Sequence, residues 1–415
     1  METAKTRMMS SPSVSSAAKP RMAYIDNIRW TVIAMVVLVH ACVTYSGLGS
    51  WYYKEPAVLD LGAKLVFWMY SILSQAFFMG LLFFVAAVFI PASYDKKGFG
   101  RFLGDRAFRL GIPALVFMLI LDPVTNLARD LGTGQFVSWH AVLGRYPGYI
   151  ASGSFLGSSG PLWFVVALLA FSSVYAVVRL IAGLAGVKAG LPDAAIGQPA
   201  LQGRADVPLT PRAVHITATV VMATIAAGSF FVRLVQPVGM SWYNMQLCFF
   251  PEYVVLFVVG LWAGRRGFLR ALPRQAGMMW LKLAFIIGVP SWFLLLGLGG
   301  ALSGSEQAFV GGMHWQAAGY AAWEAFFAVS VSIGLLTLYR EKANVRNRAT
   351  GLLADTSFGI YVFHAPILVA ASMLLRAFAM YPLVKAVLAA SLAFAVSLGF
   401  AWVVRKAPGL RKVFA

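Results

Sequence analysis

The sequence predicts an all-α protein built as a bundle of about ten membrane-spanning helices. Hydrophobic residues make up 60% of the 415 residues, and charged residues only 12%. The mean hydropathy is +0.76. Soluble domains have roughly 45–50% apolar and about 25% charged residues, so a polytopic membrane protein is the class that fits this composition. Regularly spaced apolar stretches and the positions of the charges point to the same class.

Ten apolar stretches come close to the roughly 20 residues that a helix needs to cross the hydrocarbon core. The second is long for one span, and we expect it to tilt or break near Gly80. The sixth is short for a full span, and residues 138–152 are too short and polar, so that segment is predicted to lie at the interface. The predicted spans cover residues 27–46, 65–92, 108–128, 160–183, 213–235, 249–264, 278–300, 316–339, 356–375 and 382–404.

The basic residues are concentrated at alternate helix ends. With an inside N-terminus, the inner segments together with Arg29 hold 27 of the 34 Lys and Arg residues. Since short cytoplasmic loops are enriched in Lys and Arg, this pattern predicts that both termini are cytoplasmic. It also accounts for the net charge of +19 without nucleic acid, because the basic residues form short clusters and no aromatic-interleaved stripe.

Outside the spans the chain divides into two tails and one long linker. Residues 1–23 are rich in Ser and Ala and weakly basic, and they are predicted to be a disordered cytoplasmic tail. The membrane domain is predicted over residues 24–404, with a Gly-, Pro- and Ala-rich cytoplasmic linker at 184–212. Residues 405–415 are predicted to form a basic cytoplasmic tail. The two cysteines give neither a disulfide framework nor a metal-ligand spacing, so we expect no metal site.

The first span carries ionisable residues at two depths. Asp26 and Arg29 stand at its start, and His40 lies well inside it. Eleven helical residues rotate the chain to within ~20° of three full turns and rise roughly 16 Å, so Arg29 and His40 share one face. Asp26 lies one turn before Arg29 and is expected to pair with it or to cap the helix.

The position of His40 inside a membrane span needs an explanation. An ionisable group at this depth costs about 2.5–3.5 kcal/mol on insertion scales, so it usually faces a bundle interior or a watery cavity. One reading is a functional site around His40. The structural alternative is that His40 only hydrogen-bonds a neighbouring helix while Arg29 reaches the cytoplasmic surface.

The arginine, ten residues and histidine in "YIDNIRW…VLVHACVTYS" resemble the acyltransferase 3 family of membrane O-acyltransferases, and look most like its glucan-modifying branch. The segment "RAFRLGIPALVF" is similar to the family's Arg-x-x-Arg followed by a helix that begins with proline. The second-helix block "FFMGLLFFVAAVFI" is similarly Phe-rich but lacks the family's usual Ser-Gly. Further blocks that resemble the family in order are "GPLWFVVALL", "FFPEYVVLFVVGLWAGRRGFL", "HWQAAGYAAWEAFF" and "TSFGIYVFHAPILV".

The resemblance implies a multi-pass enzyme of the cell inner (plasma) membrane that takes an acyl group from cytoplasmic acyl-CoA. The acceptor would be a hydroxyl of a carbohydrate or glycan at the far face, and acyl-CoA would be a donor substrate, with no permanently bound cofactor. Arg106 and Arg109 occupy the motif positions and, three residues apart, share one face of a regular helix. Two guanidiniums there can bind coenzyme A phosphates through bidentate, charge-assisted hydrogen bonds. The alternative is that they are ordinary cytoplasmic anchors.

His40 would be the general base for the acceptor hydroxyl, because an imidazole with a pKa near 6.5 exchanges protons at neutral pH. An acyl-imidazole intermediate is the open alternative. Such a base needs an orienting partner, and we favour Glu324, because both residues lie toward the outer ends of their helices. Otherwise Glu324 would be a helix-start carboxylate stabilised by the helix dipole. The other candidates are Glu252, at a position where the family commonly has glutamine, Asp122 and His364.

His364 stands two residues before Pro366. That proline removes the hydrogen bond to the carbonyl of Val362 and leaves a polar notch beside the imidazole. His364 is expected to line the coenzyme channel from the cytoplasmic half. The alternative is a structural histidine at a proline kink.

Two other function classes use buried polar residues differently. A secondary transporter of a small molecule would also bury Arg, His and Glu for proton coupling, but such proteins usually show paired broken helices in two repeated halves, and no clear repeat is present. A structural scaffold would not need Arg29, His40 and Glu324 inside the bundle.

The charge pattern predicts the topology. Reporter fusions after residues 100, 195, 272, 345 and 415 should all report a cytoplasmic position, because each follows a basic segment. Fusions in the intervening loops serve as the opposite control. A non-cytoplasmic signal at residue 195 or 272 would contradict the ten-span prediction.

Overall fold

The computed structural model describes residues 22–56, 58–185, 209–301, 304 and 306–414. In this part of the chain the structure is helical with no β-strand, which confirms the predicted all-α class. Ten helices within it are long and apolar enough to cross a membrane, as predicted. They are α1 (Ala23–Ser46), α2 (Leu61–Val88), α3 (Ile90–Thr133), α4 (Gly160–Leu184), α5 (Pro211–Arg233), α6 (Leu247–Arg266), α7 (Arg274–Leu298), α8 (Trp315–Lys342), α9 (Arg348–Leu375) and α10 (Pro382–Val404).

The predicted tail 1–23 and linker 184–212 lie almost wholly outside the described residues. The C-terminal segment 405–415 forms more structure than a tail would. It contains the short helix Arg411–Phe414, and the Phe414 ring packs against Phe363 of α9 at a centroid distance of 5.5 Å.

The end of the bundle at which α1 begins is called the basic face here, and the other end the opposite face. At the basic face the start of α1 is tied to the α8–α9 loop, because the Asn27 side-chain amide donates to the carbonyls of Ala343 (2.7 Å) and Val345 (3.0 Å). The end of α6 is tied to the start of α3 by the Arg265–Asp95 ion pair at 3.1 Å. Helix α1 packs between α2, α8, α9 and α10, so its polar residues face other helices.

Two helices are broken or kinked. Helix α2 breaks at Ala76 and Phe77, a few residues before the predicted break at Gly80. Gly80 instead lies against α6, where a Cβ would collide with the Glu252 carboxylate. Helix α3 begins at Ile90, well before the predicted residue 108, and is kinked at Gly98, whose φ is +71°.

Each π-helical turn in the described chain ends two residues before a proline. The turns Ala107–Gly111, Phe117–Leu121 and Ala284–Gly288 precede Pro113, Pro123 and Pro290. A proline has no N–H to donate and its ring crowds the preceding turn, so the helix widens there.

The short helix Trp139–Ala151 lies outside the ten candidate spans. It also satisfies backbone groups that the second π-turn exposes. The Tyr146 and Tyr149 hydroxyls donate to the carbonyls of Leu119 (2.7 Å) and Met118 (2.6 Å). In lipid such carbonyls need a partner within the protein.

Candidate functional site

Two histidines from distant parts of the chain meet in the interior of the bundle. His40 Nδ1 lies 2.9 Å from His364 Nε2, and the two rings are nearly parallel, with an interplanar angle of 6°. His364 is completely buried, whereas His40 is only partly buried. His40 is therefore the member of the pair that another molecule can reach.

The hydrogen bonds fix the tautomers of the neutral pair. His364 Nδ1 lies 2.7 Å from the carbonyl oxygen of Tyr361, and a carbonyl can only accept, so Nδ1 carries the proton. Nε2 of the neutral His364 ring then has a lone pair and accepts from His40 Nδ1. The proton of His40 is thus on Nδ1, and Nε2 of His40 is left with a free lone pair.

Pro366 interrupts the backbone hydrogen bonds of α9 next to His364. Pro366 stands within α9 and provides no N–H for the carbonyl of Val362. The Tyr361 hydroxyl donates to the carbonyl of Pro161 at the start of α4, which holds this turn of α9 against α4. The His364 imidazole is therefore held by its own contact with the Tyr361 carbonyl and by the attachment of this turn of α9 to α4.

The α1–α2 loop covers the histidine pair. The Trp51 indole stacks on the His40 ring with centroids 4.0 Å apart and an interplanar angle of 12°. The loop is held by a backbone bond from Glu55 N to the Thr44 carbonyl (2.8 Å) and by the ion pair between Lys385 Nζ of α10 and Glu55 (2.6 Å). Because the Lys385 side chain is only 4% exposed, the solvent screens this pair little.

Asp122, one of the candidate partners of His40, binds the same loop instead. The Tyr52 hydroxyl donates to Asp122 Oδ1 at 2.6 Å, and Asn126 donates to Oδ2 at 3.2 Å. Burial, and then the neighbouring carboxylate, raises the pKa of Tyr52 above its usual range, so its hydroxyl keeps the proton that it donates. Gly160 makes room for this hydroxyl, because a Cβ at that position would collide with it.

The predicted orientation of His40 by Glu324 is wrong. Glu324 Oε2 accepts from Arg233 Nη2 at 2.5 Å, and both side chains are fully buried. The Arg233 guanidinium also lies over the Tyr320 ring, 4.6 Å from its centroid. The shared depth of Glu324 and His40 was a poor guide, because depth does not say which way a side chain points around the bundle.

Glu252 is a second buried carboxylate near this pair. It lies at the start of α6, packs against Gly80 and is 0% exposed. Among the described residues no cationic side chain hydrogen-bonds to it. It therefore does not orient His40 either.

The basic face carries the predicted arginines. The pairing of Asp26 with Arg29 is confirmed at 3.3 Å, and Arg346 approaches the same carboxylate at 3.8 Å. Arg106 is within electrostatic range of both Arg29 and Arg109. Three guanidiniums thus lie in one region, about 16 Å along α1 from His40.

The premise that Arg106 and Arg109 share a regular helix face is wrong. Arg106 ends one helical segment, and Arg109 lies inside the π-turn Ala107–Gly111, in which a three-residue step no longer returns to the same face. Arg106 packs over Phe102, while Arg109 is half exposed and lies 3.5 Å from Asp105.

His364 was expected to line a channel from the cytoplasmic half. The structure places it at the depth of His40, which is near the opposite-face end of α1, so it lies far from the basic face.

Sequence reasoning missed Trp51, Tyr52 and Lys385 altogether as site residues. The available signal was the isolated lysine at the start of an apolar span, which needs a buried carboxylate.

The comparison with protein families gives one match. A model of the family Acyl_transf_3, described as an acyltransferase domain, matches residues 22–406. The chain belongs to this family. No curated protein and no solved structure gave a match. The resemblance is thereby confirmed at the level of the family, and this multi-pass membrane protein is an acyltransferase, which transfers acyl groups other than aminoacyl groups.

In this acyltransferase, the intact Arg233–Glu324 pair should stabilise the folded bundle. Arg233→Met leaves Glu324 as an uncompensated buried carboxylate, and breaking such a pair costs about 3–5 kcal/mol. We expect a clear fall in the thermal midpoint of the detergent-purified protein.

The double variant Arg233→Met, Glu324→Met is the control, since removing both charges is often nearly neutral. It should recover most of the lost midpoint. A single variant that melts like the parent would show that the pair is not a stabilising element.

Proposed function

We propose that this acyltransferase is an O-acyltransferase of the inner (plasma) membrane. It moves an acyl group from acyl-CoA, bound at the cytoplasmic side, to a hydroxyl of a carbohydrate or glycan at the outer side. The lone pair on His40 Nε2, left free by the His40–His364 hydrogen bond, is the observation that carries the proposal. The glycan acceptor rests on the resemblance of the sequence to the glucan-modifying branch.

His40 acts as the general base. Nε2 takes the proton of the acceptor hydroxyl while the hydroxyl oxygen attacks the thioester carbonyl. The C–S bond then breaks, and the imidazolium returns the proton to the departing thiolate. The products are the ester and free coenzyme A, so no proton is gained or lost.

His364 supports this cycle in two ways. It holds the His40 ring by the 2.9 Å hydrogen bond, so Nε2 keeps one direction. It also accepts from Nδ1, and a stronger hydrogen bond from the imidazolium stabilises the charge that forms in the transition state.

The basic face would bind the donor. Arg29, Arg106 and Arg109 supply positive charge for the phosphates of coenzyme A. The pantetheine arm would cover the roughly 16 Å from that region to His40. The Asp105 carboxylate would weaken phosphate binding, because it competes for the same basic residues. It already pairs with Lys97 at 2.8 Å and approaches Arg109.

Removing the arginines of the basic face and neutralising Asp105 should therefore change the KM for acyl-CoA in opposite directions. Arg106→Ala, Arg109→Ala should raise the KM for acyl-CoA about tenfold, as expected for lost charged hydrogen bonds, and leave the acceptor KM unchanged. Asp105→Asn should lower the donor KM. Arg101→Ala, an exposed arginine on the same helix, is the matched control. An unchanged donor KM in the double variant would reduce the two arginines to anchors.

The histidine pair tests the proposal itself. His40→Gln keeps a hydrogen-bonding side chain but cannot take the proton, so turnover from labelled acyl-CoA should fall about 10²–10⁴-fold, or roughly 3–5 kcal/mol of barrier. His364→Gln should lower kcat less, because it disturbs only the orientation of the base. Both variants should keep donor binding. Their thermal midpoints should stay close to the parent's, because a glutamine at either position can still hydrogen-bond between α1 and α9.

His140→Gln, an exposed histidine on the short helix, is the control and should behave like the parent. A His40→Gln protein that retains more than about a tenth of the parent's turnover would overturn the general-base role. Mass spectrometry of the parent incubated with donor alone distinguishes the acyl-imidazole route, in which the acyl group would be found on His40.

A further inference from the structure

A long apolar groove lies beside the site, between α1, α2, α7 and α8. Its volume is about 290 Å³. The α1 residues that line the groove lie on a side of the helix about 110° from the side that carries Arg29 and His40. The groove is therefore separate from the histidine pair. The α1 residues that line it are Ile28, Thr31, Val32 and Met35.

The groove opens sideways, toward the lipid-facing surface. Phe285 of α7 lines its outer part and is 55% exposed, whereas Val32 at its back is 2% exposed. The neighbouring Ile286 is 70% exposed, which places this side of α7 on the outer surface of the bundle. The space is therefore continuous with the hydrocarbon region that the bundle would occupy.

The groove is elongated along α8. Along α8 it runs from Phe327 to Tyr339, which is about 18 Å at 1.5 Å per residue. A compact polar metabolite would fit such a shape poorly.

The lining offers a polar ligand almost nothing to bind. The Tyr339 hydroxyl donates to Thr31 (3.0 Å), and Thr31 donates to the Asn27 carbonyl (2.9 Å). The Tyr70 hydroxyl donates to the Met35 carbonyl at 3.3 Å. Since these hydroxyls already have partners, the groove suits hydrocarbon, and an apolar cavity of this kind does not hold water well.

Two lysines flank the basic-face half of the groove. Lys342 lies one turn beyond Tyr339 on α8, and Lys282 follows Leu281 of α7, which packs at the level of Gly334. A lysine side chain is long enough to extend from that level toward the basic face. Both lysines are exposed, and neither forms an ion pair with another residue that the structure describes. An anionic headgroup placed there would complement them.

We propose that the groove binds one acyl chain of an anionic phospholipid, which enters from the bilayer between α2 and α7. Its headgroup lies against Lys282 and Lys342, and its chain packs behind the helix that carries His40. The chain supplies the contacts that the groove's apolar lining otherwise lacks.

Photo-crosslinking tests this proposal. The full-length protein is reconstituted in nanodiscs that contain phosphatidylglycerol with a diazirine in mid-chain, and crosslinked peptides are mapped by mass spectrometry. We expect crosslinks on α7 and α8 residues of the groove, above the level on the exposed face of α10. Phosphatidylcholine with the same chain should give fewer.

Two variants separate the chain from the headgroup. Leu73→Trp fills the groove from α2 and should abolish the groove crosslinks, whereas Val396→Trp on the exposed face of α10 should leave them unchanged. Lys282→Glu, Lys342→Glu should remove the preference for phosphatidylglycerol while crosslinks remain. Crosslinks spread evenly over all lipid-facing helices, or groove crosslinks that survive in Leu73→Trp, would overturn the proposal.

Discussion

The hydrogen bond from His40 to His364 is the interaction on which the interior of this acyltransferase depends. A polar side chain in the hydrocarbon region has no water to bind, so a hydrogen-bond partner within the protein stabilises it. The 2.9 Å contact therefore requires α1 and α9 to lie side by side. It also decides which nitrogen of His40 is left free, so the same bond that stabilises the bundle defines the reactive atom.

Two pairs of charged side chains near the opposite face follow the same rule. Arg233 of α5 is neutralised by Glu324 of α8, and Lys385 of α10 by Glu55 of the α1–α2 loop. The second pair does more than cancel charge, because it fastens the loop whose Trp51 lies on the His40 ring. The salt bridge at the start of α10 thus holds the Trp51 ring over His40 of α1.

Composition and local spacing were enough to predict the ten spans and the Asp26–Arg29 pair, because both depend on residues close together in the chain. The partners of His40 and Glu324 could not be predicted this way, since hydropathy gives the depth of a residue but not its direction around the bundle. The regular-helix argument for Arg109 failed for a different reason, because Pro113 widens the turn in which that arginine lies. No local pattern in the sequence pairs Trp51 with a histidine, and only the folded loop shows the indole on the His40 ring.

The partners in the interior are far apart in sequence: 324 residues separate His40 from His364 and 330 separate Glu55 from Lys385. At about 5–20 residues per second of synthesis, His40 is made roughly 16–65 s before its partner. During that time α1 has an imidazole without its final hydrogen bond, and the loop after it has a carboxylate without its lysine. The polar interior is thus completed last, and a nascent chain that stops before α9 leaves both groups exposed to whatever surrounds the growing protein.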